Sequence, residues 1–341
     1  MLNTIDLFVG CGGLSEGFEQ SRKYKMIGAV EWEPSPVKEL RNHLKNRWGI
    51  QDSEERVLQF DIQRTEELFN GWKDKKFGES KGLDALVGNR QLDVIIGGPP
   101  CQAYSVAGRI RDEHGMREDY RNYLFESYLK VVQHYKPRVF VFENVPGILS
   151  AKPGDGSVRI IDLIQKAFAD AGYAVLPDLS NAIIDMTEYG VPQNRKRIII
   201  LGVSKEHYGD KAEAMVEKFY SSYLPEYKIE KKATVRDAIG DLPKLRPLDE
   251  PISYLGRKLS HSVSDPLING HISRFHNKRD IELFKFLEED IASGRMKYTS
   301  AKSLKTLYTK LTGKTSNVHK YYVLRWDEPS NLIPAHLFKD G

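Results

Sequence analysis

Cysteine is almost missing from this chain: Cys11 and Cys101 are the two among 341 residues. With no C-x-x-C spacing, they argue against a disulfide framework and against a structural zinc site, and both thiols are expected to be free. Long apolar runs are missing as well. No stretch reaches the roughly 18 apolar residues of a membrane-crossing helix, and the opening MLNTIDLFVG has no basic segment ahead of a hydrophobic one. A soluble, cytoplasmic protein without a membrane partner is expected. Repeats and low-complexity tracts are also lacking. What is present is a hydrophobic fraction of 40%, enough over this length for one large domain with a smaller companion, or for two ordinary domains.

Charge is uneven along the chain. Residues 1–202 hold 27 Lys+Arg against 28 Asp+Glu, and residues 203–341 hold 24 against 19, so the basic surplus sits in the C-terminal part. Such a surplus suits a polyanionic partner, and an ordinary solvated surface accounts for it equally well.

The first 200 residues alternate strand-like runs with helix-like ones. Strands are predicted over 4–10, 25–32, 57–62, 92–98, 138–145 and 197–203, and helices over 122–135 and 159–173. This alternation implies an α/β fold with a doubly wound, mostly parallel sheet, in which ligands bind at the carboxyl ends of the strands. Beyond residue 203 the pattern loosens. A short helix is predicted over 232–243 and an amphipathic one over 279–294, with the remainder loop-rich and irregular. The reading is therefore a first domain over 1–202 and a second, smaller region over 203–341, with the boundary inside 203–245.

The strand ends carry the chemistry. DLFVGCGGLSEGFEQ (6–20) leads from a strand into a helix, where backbone N–H groups and the positive end of the helix dipole meet an anionic group. The dinucleotide fingerprint G-x-G-x-x-G fails here, because Ser15 stands at the third glycine position. At the next strand end Glu31 can accept from ribose hydroxyls and Trp32 offers a face for a purine. At the third, Asp61 can accept from an exocyclic amine with Ile62 beside it. Each acid alone reads as a surface carboxylate; with the glycine loop, three successive strand ends outline a nucleoside-type site. At the fourth end, VIIGGPPCQAYSVAGR (94–109) sets Cys101 in a loop restricted by two prolines. A lone cysteine is usually a small buried hydrophobe. A nucleophilic role needs positive charge or a base nearby, for which Arg109, Arg195 and Arg197 are available.

Taken together, DLFVGCGGLSEGF, EW (31–32), DI (61–62), GGPPCQAYSVAGR, RNYL (121–124), ENV (143–145) and YGVPQNRKR (189–197) closely resemble the ordered motifs of the DNA (cytosine-5)-methyltransferase family. The resemblance implies an S-adenosylmethionine-dependent methyltransferase fold. It implies S-adenosyl-L-methionine held by Asp6, Phe8, Gly10, Cys11, Gly12, Gly13, Glu31, Trp32, Asp61, Ile62, Pro100 and Leu124. Cys101 becomes the catalytic thiolate that adds to cytosine C6, with Glu143 at N3, Arg197 at O2 and Arg195 alongside, and no metal is required. Because C6 is unreachable in a stacked duplex, the base must be flipped out.

The same resemblance makes the region from 203 onward a target recognition domain for double-stranded DNA. Gln102, Ser105 and Arg109 beside the catalytic cysteine, and Arg274, Lys278 and Arg279 in HISRFHNKR (271–279), are its candidate DNA contacts. Restriction-modification is the family's usual setting, and regulatory methylation is equally compatible. Family members continue past a segment like KYYVLRWDEPSNLIPAHL (320–337) into an R-x-L-T-x-R-E helix and a G-N-[SA]-V element, which this sequence does not carry. Three expectations follow: a truncation, a second polypeptide that supplies the end, or a degenerate relative. A catalytically incomplete DNA-binding relative and an RNA-directed cytosine-5 methyltransferase stay open beside the main reading.

Overall fold

The structure, a computed structural model, describes residues 1–100, 124–152, 157–263, 268, 270–316 and 321–332. The chain divides into two compact units, Met1–Asp185 with Lys196–Lys228, and Met186–Arg195 with Ile229–Gly341. No helix among the described residues is long and apolar enough to cross a membrane.

The first unit is built on short runs of β-branched and aromatic residues. Its strands are β1 Leu2–Leu7, β2 Tyr24–Glu31, β3 Val57–Gln59, β4 Trp72–Asp74, β5 Gly78–Ser80, β6 Val94–Gly97, β7 Val139–Asn144, β8 Tyr173–Ala174, β9 Ile183–Asp185 and β10 Lys196–Ser204. Eight of them form one sheet in the order β3-β2-β1-β6-β7-β10-β8, with β9 also paired to β10. From β3 through β7 the pairs are parallel, and β10 runs antiparallel to β7. The expected doubly wound, mostly parallel sheet is present. Burial on both faces explains why β6, VIIG, reads as a continuous apolar run rather than an alternating one. Strand order reverses between β1 and β6, and this switch point opens a crevice at the strands' carboxyl ends.

Helices α1 Gly13–Gln20, α2 Pro34–Trp48, α3 Thr65–Asn70, α4 Gly82–Val87, α5 Leu124–Tyr135 and α6 Ile160–Asp170 join these strands. Proline in the first turn of α2 and Gly49 in the left-handed region beyond its end set both boundaries. The core lies where α5 and α6 cover β6 and β7. Tyr128, Phe140, Phe142 and Phe168 are fully buried there, with ring centroids 4.2–6.1 Å apart. Burial of each such ring stabilises the fold by roughly 1.5–3 kcal/mol. The Tyr128 hydroxyl shares its proton between the carbonyls of Ile95 on β6 and Val141 on β7, both at 3.1 Å.

A single cut between 202 and 203 does not describe the division. Helix α7 Lys211–Lys218 buries Ala212 and Val216 in the first unit's core, and Tyr220 donates to Ile199 O (2.6 Å) and accepts from Leu201 N (2.9 Å) on β10. Residues up to 228 therefore stay with the sheet. Conversely, 186–195 leaves it, because its backbone bonds lie elsewhere: Ile229 N donates to Glu188 O, Asn194 N to Ser330 O and Ser330 N to Pro192 O, at 2.8–2.9 Å.

The second unit is more regular than its loop-rich composition suggests. It contains α8 Val235–Ile239, a hairpin of β11 Pro247–Tyr254 and β12 Arg257–His261, α9 Lys278–Ala292 and α10 Ala301–Thr312. Leu283 and Leu287 of α9 meet Leu304 and Leu307 of α10 in a small core. A capping box at Ser300 and Ser303 starts α10, and Gly313 in the left-handed region ends it.

Candidate active site

The glycine loop after β1 is shaped by two constraints. Gly12 sits at φ +88, and a Cβ there would meet Leu40 Cδ1 at 2.5 Å, so a larger residue would strain the backbone and push Leu40 of α2 aside. Phe8 is held at φ +58, a strained setting for a non-glycine residue, and it lines the cleft. Gly10 N donates to Glu31 Oε2 (2.8 Å), and Glu33 N to Glu31 Oε1 (2.9 Å). Both oxygens of Glu31 are thereby oriented and keep lone pairs for further donors.

Beneath the loop lies Asp6, 1% exposed. Ser15 Oγ donates to its Oδ2, and its Oδ1 has no hydrogen-bond partner. Burial, with a smaller push from the Glu31 charge, raises its pKa to about 7, against the Ser15 bond that lowers it. The missing third glycine is thus explained: Ser15 occupies that position as the donor a buried aspartate needs. Asp6 supports the loop from below and does not line the cleft.

At the mouth of the switch point is a cleft of about 320 Å³. Its walls include Phe8, Glu31, Trp32, Asp61, Ile62, Pro100 and Leu124 from the sequence reading, and also Phe60, Gln63 and Gly98. Asp61 Oδ1 accepts from Gln63 N (3.0 Å), which turns the chain away at the strand end. Gly10, Cys11, Gly12 and Gly13 form the loop beside the cleft without lining it, and Cys11 is exposed.

The ends of β6 and β7 make the second half of the site. A Cβ on Gly98 would stand 2.9 Å from Glu143 Oε2, so the glycine admits the carboxylate. Arg197 Nε pairs with Glu143 Oε1 at 2.7 Å, both side chains largely buried, and Arg197 Nη1 donates to Lys196 O. Asn144, 1% exposed, donates from Nδ2 to Pro99 O (3.3 Å), and its Oδ1 accepts from Val145 N. Sequence reasoning quoted this asparagine within ENV without giving it a role. Its bond ties β7 to the proline loop two residues before Cys101. Cys101, Gln102, Ser105 and Arg109 lie outside the described residues.

Arg195 closes the 186–195 segment in the second unit, where its carbonyl accepts from Met186 N. In that unit Ser260 Oγ accepts from His276 N (2.9 Å) and donates to Arg274 O (3.3 Å), fixing the loop before α9 on β12. Lys278 pairs with Glu250 (3.6 Å) and Arg279 with Asp280 (3.0 Å), and all three cationic candidates here are exposed.

A mostly parallel sheet with a glycine loop, two strand-end carboxylates and a cleft at its switch point defines a doubly wound α/β domain with a ligand-sized cleft. The chain belongs to the C-5 cytosine-specific DNA methylase family, whose sequence model matches residues 2–323. It is 31% identical to the type II methyltransferase M.Bpa9945I of Bacillus paralicheniformis over 99% of this chain and 84% of that protein. It is 28% identical to the type II methyltransferase M.AgeI of Thalassovita gelatinovora over 99% and 86%. Among solved structures, an E. coli prophage protein described as a DNA modification methyltransferase superposes with a TM-score of 0.50 over 74% of this chain and 59% of that one. At 24% identity that likeness concerns the fold. The family's activity is methyl transfer to C5 of cytosine in DNA.

Proposed function

We propose that this chain methylates C5 of a cytosine flipped out of duplex DNA, using S-adenosylmethionine and a covalent adduct between Cys101 and C6. The observation that carries the reading is the joint at the ends of β6 and β7. There the carboxylate of Glu143 rests on Gly98, Arg197 holds it, and Asn144 grips Pro99; Gly98 and Pro99 precede Cys101 in the chain by three and two residues.

The cleft fits a nucleoside-bearing sulfonium. Its acceptor set is right: Glu31 has spare acceptor capacity for ribose hydroxyls, Asp61 accepts an amine, and Trp32 offers a face to a purine. When bound, S-adenosylmethionine supplies an electrophilic methyl group. The protein makes C5 able to receive it. Sγ of Cys101 attacks C6, and the ring electrons pass to C5 while charge accumulates at N3 and O2. Glu143, carrying a proton, donates it in a hydrogen bond to N3, and Arg197 donates to O2, so both contacts strengthen as the charge builds. After C5 is methylated, a base removes its proton, the C5–C6 double bond returns and Cys101 leaves. The Glu143–Arg197 pair orients each partner before the base arrives, which reduces the reorganisation needed in the transition state.

The second unit is the target recognition part in this reading. Lys278 and Arg279 there exchange their carboxylate partners for phosphates, and Arg274 joins them. The enzyme acts in the cytoplasm as the modification partner of a restriction system.

The test is covalent trapping on mixed-sequence duplexes that carry 5-fluorocytosine, whose fluorine blocks the final elimination. With S-adenosylmethionine present, a denaturation-resistant adduct forms with the native chain and not with Cys101→Ser. An adduct that persists in the variant, or forms on RNA and not on DNA, overturns the proposal.

A further inference from the structure

The hairpin of β4 and β5 takes no part in the chemistry above, and its sequence, WKDKKFGES, reads as an ordinary charged surface turn. In the fold it leans against the cleft. Trp72 stacks on Phe60 at 3.8 Å between ring centroids, and Phe77 stands edge-on to both Phe60 (5.2 Å) and Trp32 (5.6 Å). At the hairpin tip Lys76 Nζ lies 3.8 Å from the centroid of the Trp32 ring. Trp32 and Phe60 line the cleft; Lys76 and Phe77 do not.

The turn is held independently of that ammonium. Asp74 Oδ1 accepts from the backbone N–H of Lys76 (2.9 Å) and Phe77 (2.7 Å), and Asp74 Oδ2 pairs with Arg64 (2.6 Å). The Arg64 guanidinium in turn lies 4.7 Å from the Phe60 ring centroid. Lys76 is thus delivered to a defined place by a hairpin whose own folding does not need the charge.

We infer that Lys76 is a positioning residue for the cofactor: its ammonium clamps one face of Trp32, so that the ring is already set when a purine enters the cleft. This rests on the reading of the cleft given above. Trp32 is 43% exposed, and without a neighbour over its face an indole at a strand end samples several rotamers. A ligand that stacks on it must then bear the cost of ordering the ring. The negative face of the indole draws the cation, and Phe77 blocks the edge. An exposed contact of this kind, together with one ordered side chain, corresponds to about a three- to ten-fold change in affinity.

The test is calorimetric titration of S-adenosylhomocysteine into the full chain and its Lys76→Met and Lys76→Arg variants. Acrylamide quenching of tryptophan emission is measured without ligand, with Trp32→Phe used to assign that ring's share. Lys76→Met should weaken binding about three- to ten-fold and raise the quenching of Trp32, with the melting temperature unchanged. Lys76→Arg, which keeps a cation over the ring, should restore both. Binding by Lys76→Met within two-fold of wild type overturns the inference, and so does an Arg variant as weak as the Met variant. A wild-type chain that takes up no S-adenosylhomocysteine overturns the reading of the cleft itself, and this inference with it.

Discussion

Replacing Asp6 by asparagine removes a proton equilibrium that folding has moved. In the unfolded chain the carboxyl titrates near 3.8, and in the fold its pKa is about 7, because the group is buried with one oxygen unpartnered and Glu31 close enough to repel. Tyr128, also buried, feels the Asp6 charge, but its own titration is pushed well above its usual range and does not enter. The folded state therefore binds the proton more tightly than the unfolded state. The Asp6 contribution to wild-type stability is complete below about pH 4, declines as pH rises through the interval up to 7, and is gone above it. A shift from 3.8 to about 7 at 1.36 kcal/mol per unit amounts to about 4 kcal/mol as an upper figure. In Asp6→Asn the amide oxygen can still accept from Ser15. Its buried NH2 adds a cost of roughly 1–3 kcal/mol, and that cost does not vary with pH. The measurement is the unfolding free energy of both proteins in urea at half-unit steps from pH 4.5 to 8.5. The difference between them should change by several kcal/mol over that range in favour of the asparagine variant as pH rises. Parallel pH curves would refute the argument, since they would mean that Asp6 is charged, and solvated, in both states.

Gly98→Ala should leave the fold standing and damage the chemistry. The new Cβ would press on Glu143 Oε2 from 2.9 Å, a movable atom that must yield by about half an ångström, and a displacement of that order at a catalytic carboxylate costs roughly ten- to a hundred-fold in kcat. Single-turnover methylation beside a thermal melt checks this, with turnover within two-fold of wild type as the contrary result. Asn144→Asp keeps the volume but turns an oxygen toward Pro99 O in place of the amide donor, and should destabilise the fold by about 1–3 kcal/mol. The rate of adduct formation on 5-fluorocytosine duplexes should fall with it; an unchanged rate would show that the grip on Pro99 is not used.

The strand ends were legible because their signals are local. DLFVG, VEW and FDI each end an apolar run with a polar residue and a turn, and a doubly wound sheet gathers such ends at one edge. What escaped was set by contacts distant in sequence. Ser15 looked like a defect in a glycine fingerprint until Asp6, nine residues earlier, was seen to need its hydroxyl. The 72–80 hairpin has no periodicity of its own, and its role comes from Phe60 and Trp32, which belong to other strand ends. Helix α10 is the exception: Leu304, Leu307, Tyr308 and Leu311 stand at helical spacing after a capping box, so its signal is local and was there to be read. The excursion of 186–195 into the second unit depends on backbone bonds to residues 229 and 330, which no residue type announces.

The pairing of β6 with β7 shows why Glu143 and the cysteine loop meet at all. The strands are parallel and in register from Val94↔Val139 to Gly97↔Phe142, so the next step along each brings Gly98 beside Glu143. Along β7 the side chains alternate: Phe140, Phe142 and Asn144 are buried, while Val141 and Glu143 are partly exposed. A slip of one residue in this pairing would send Glu143 to the opposite face and put Asn144 where the carboxylate stands. Phe140 and Phe142, locked against Tyr128 and Phe168, prevent that slip. The aromatic core under the sheet is therefore what aims the carboxylate: packing on one face fixes the register, and the register places Glu143 against the loop that leads to Cys101.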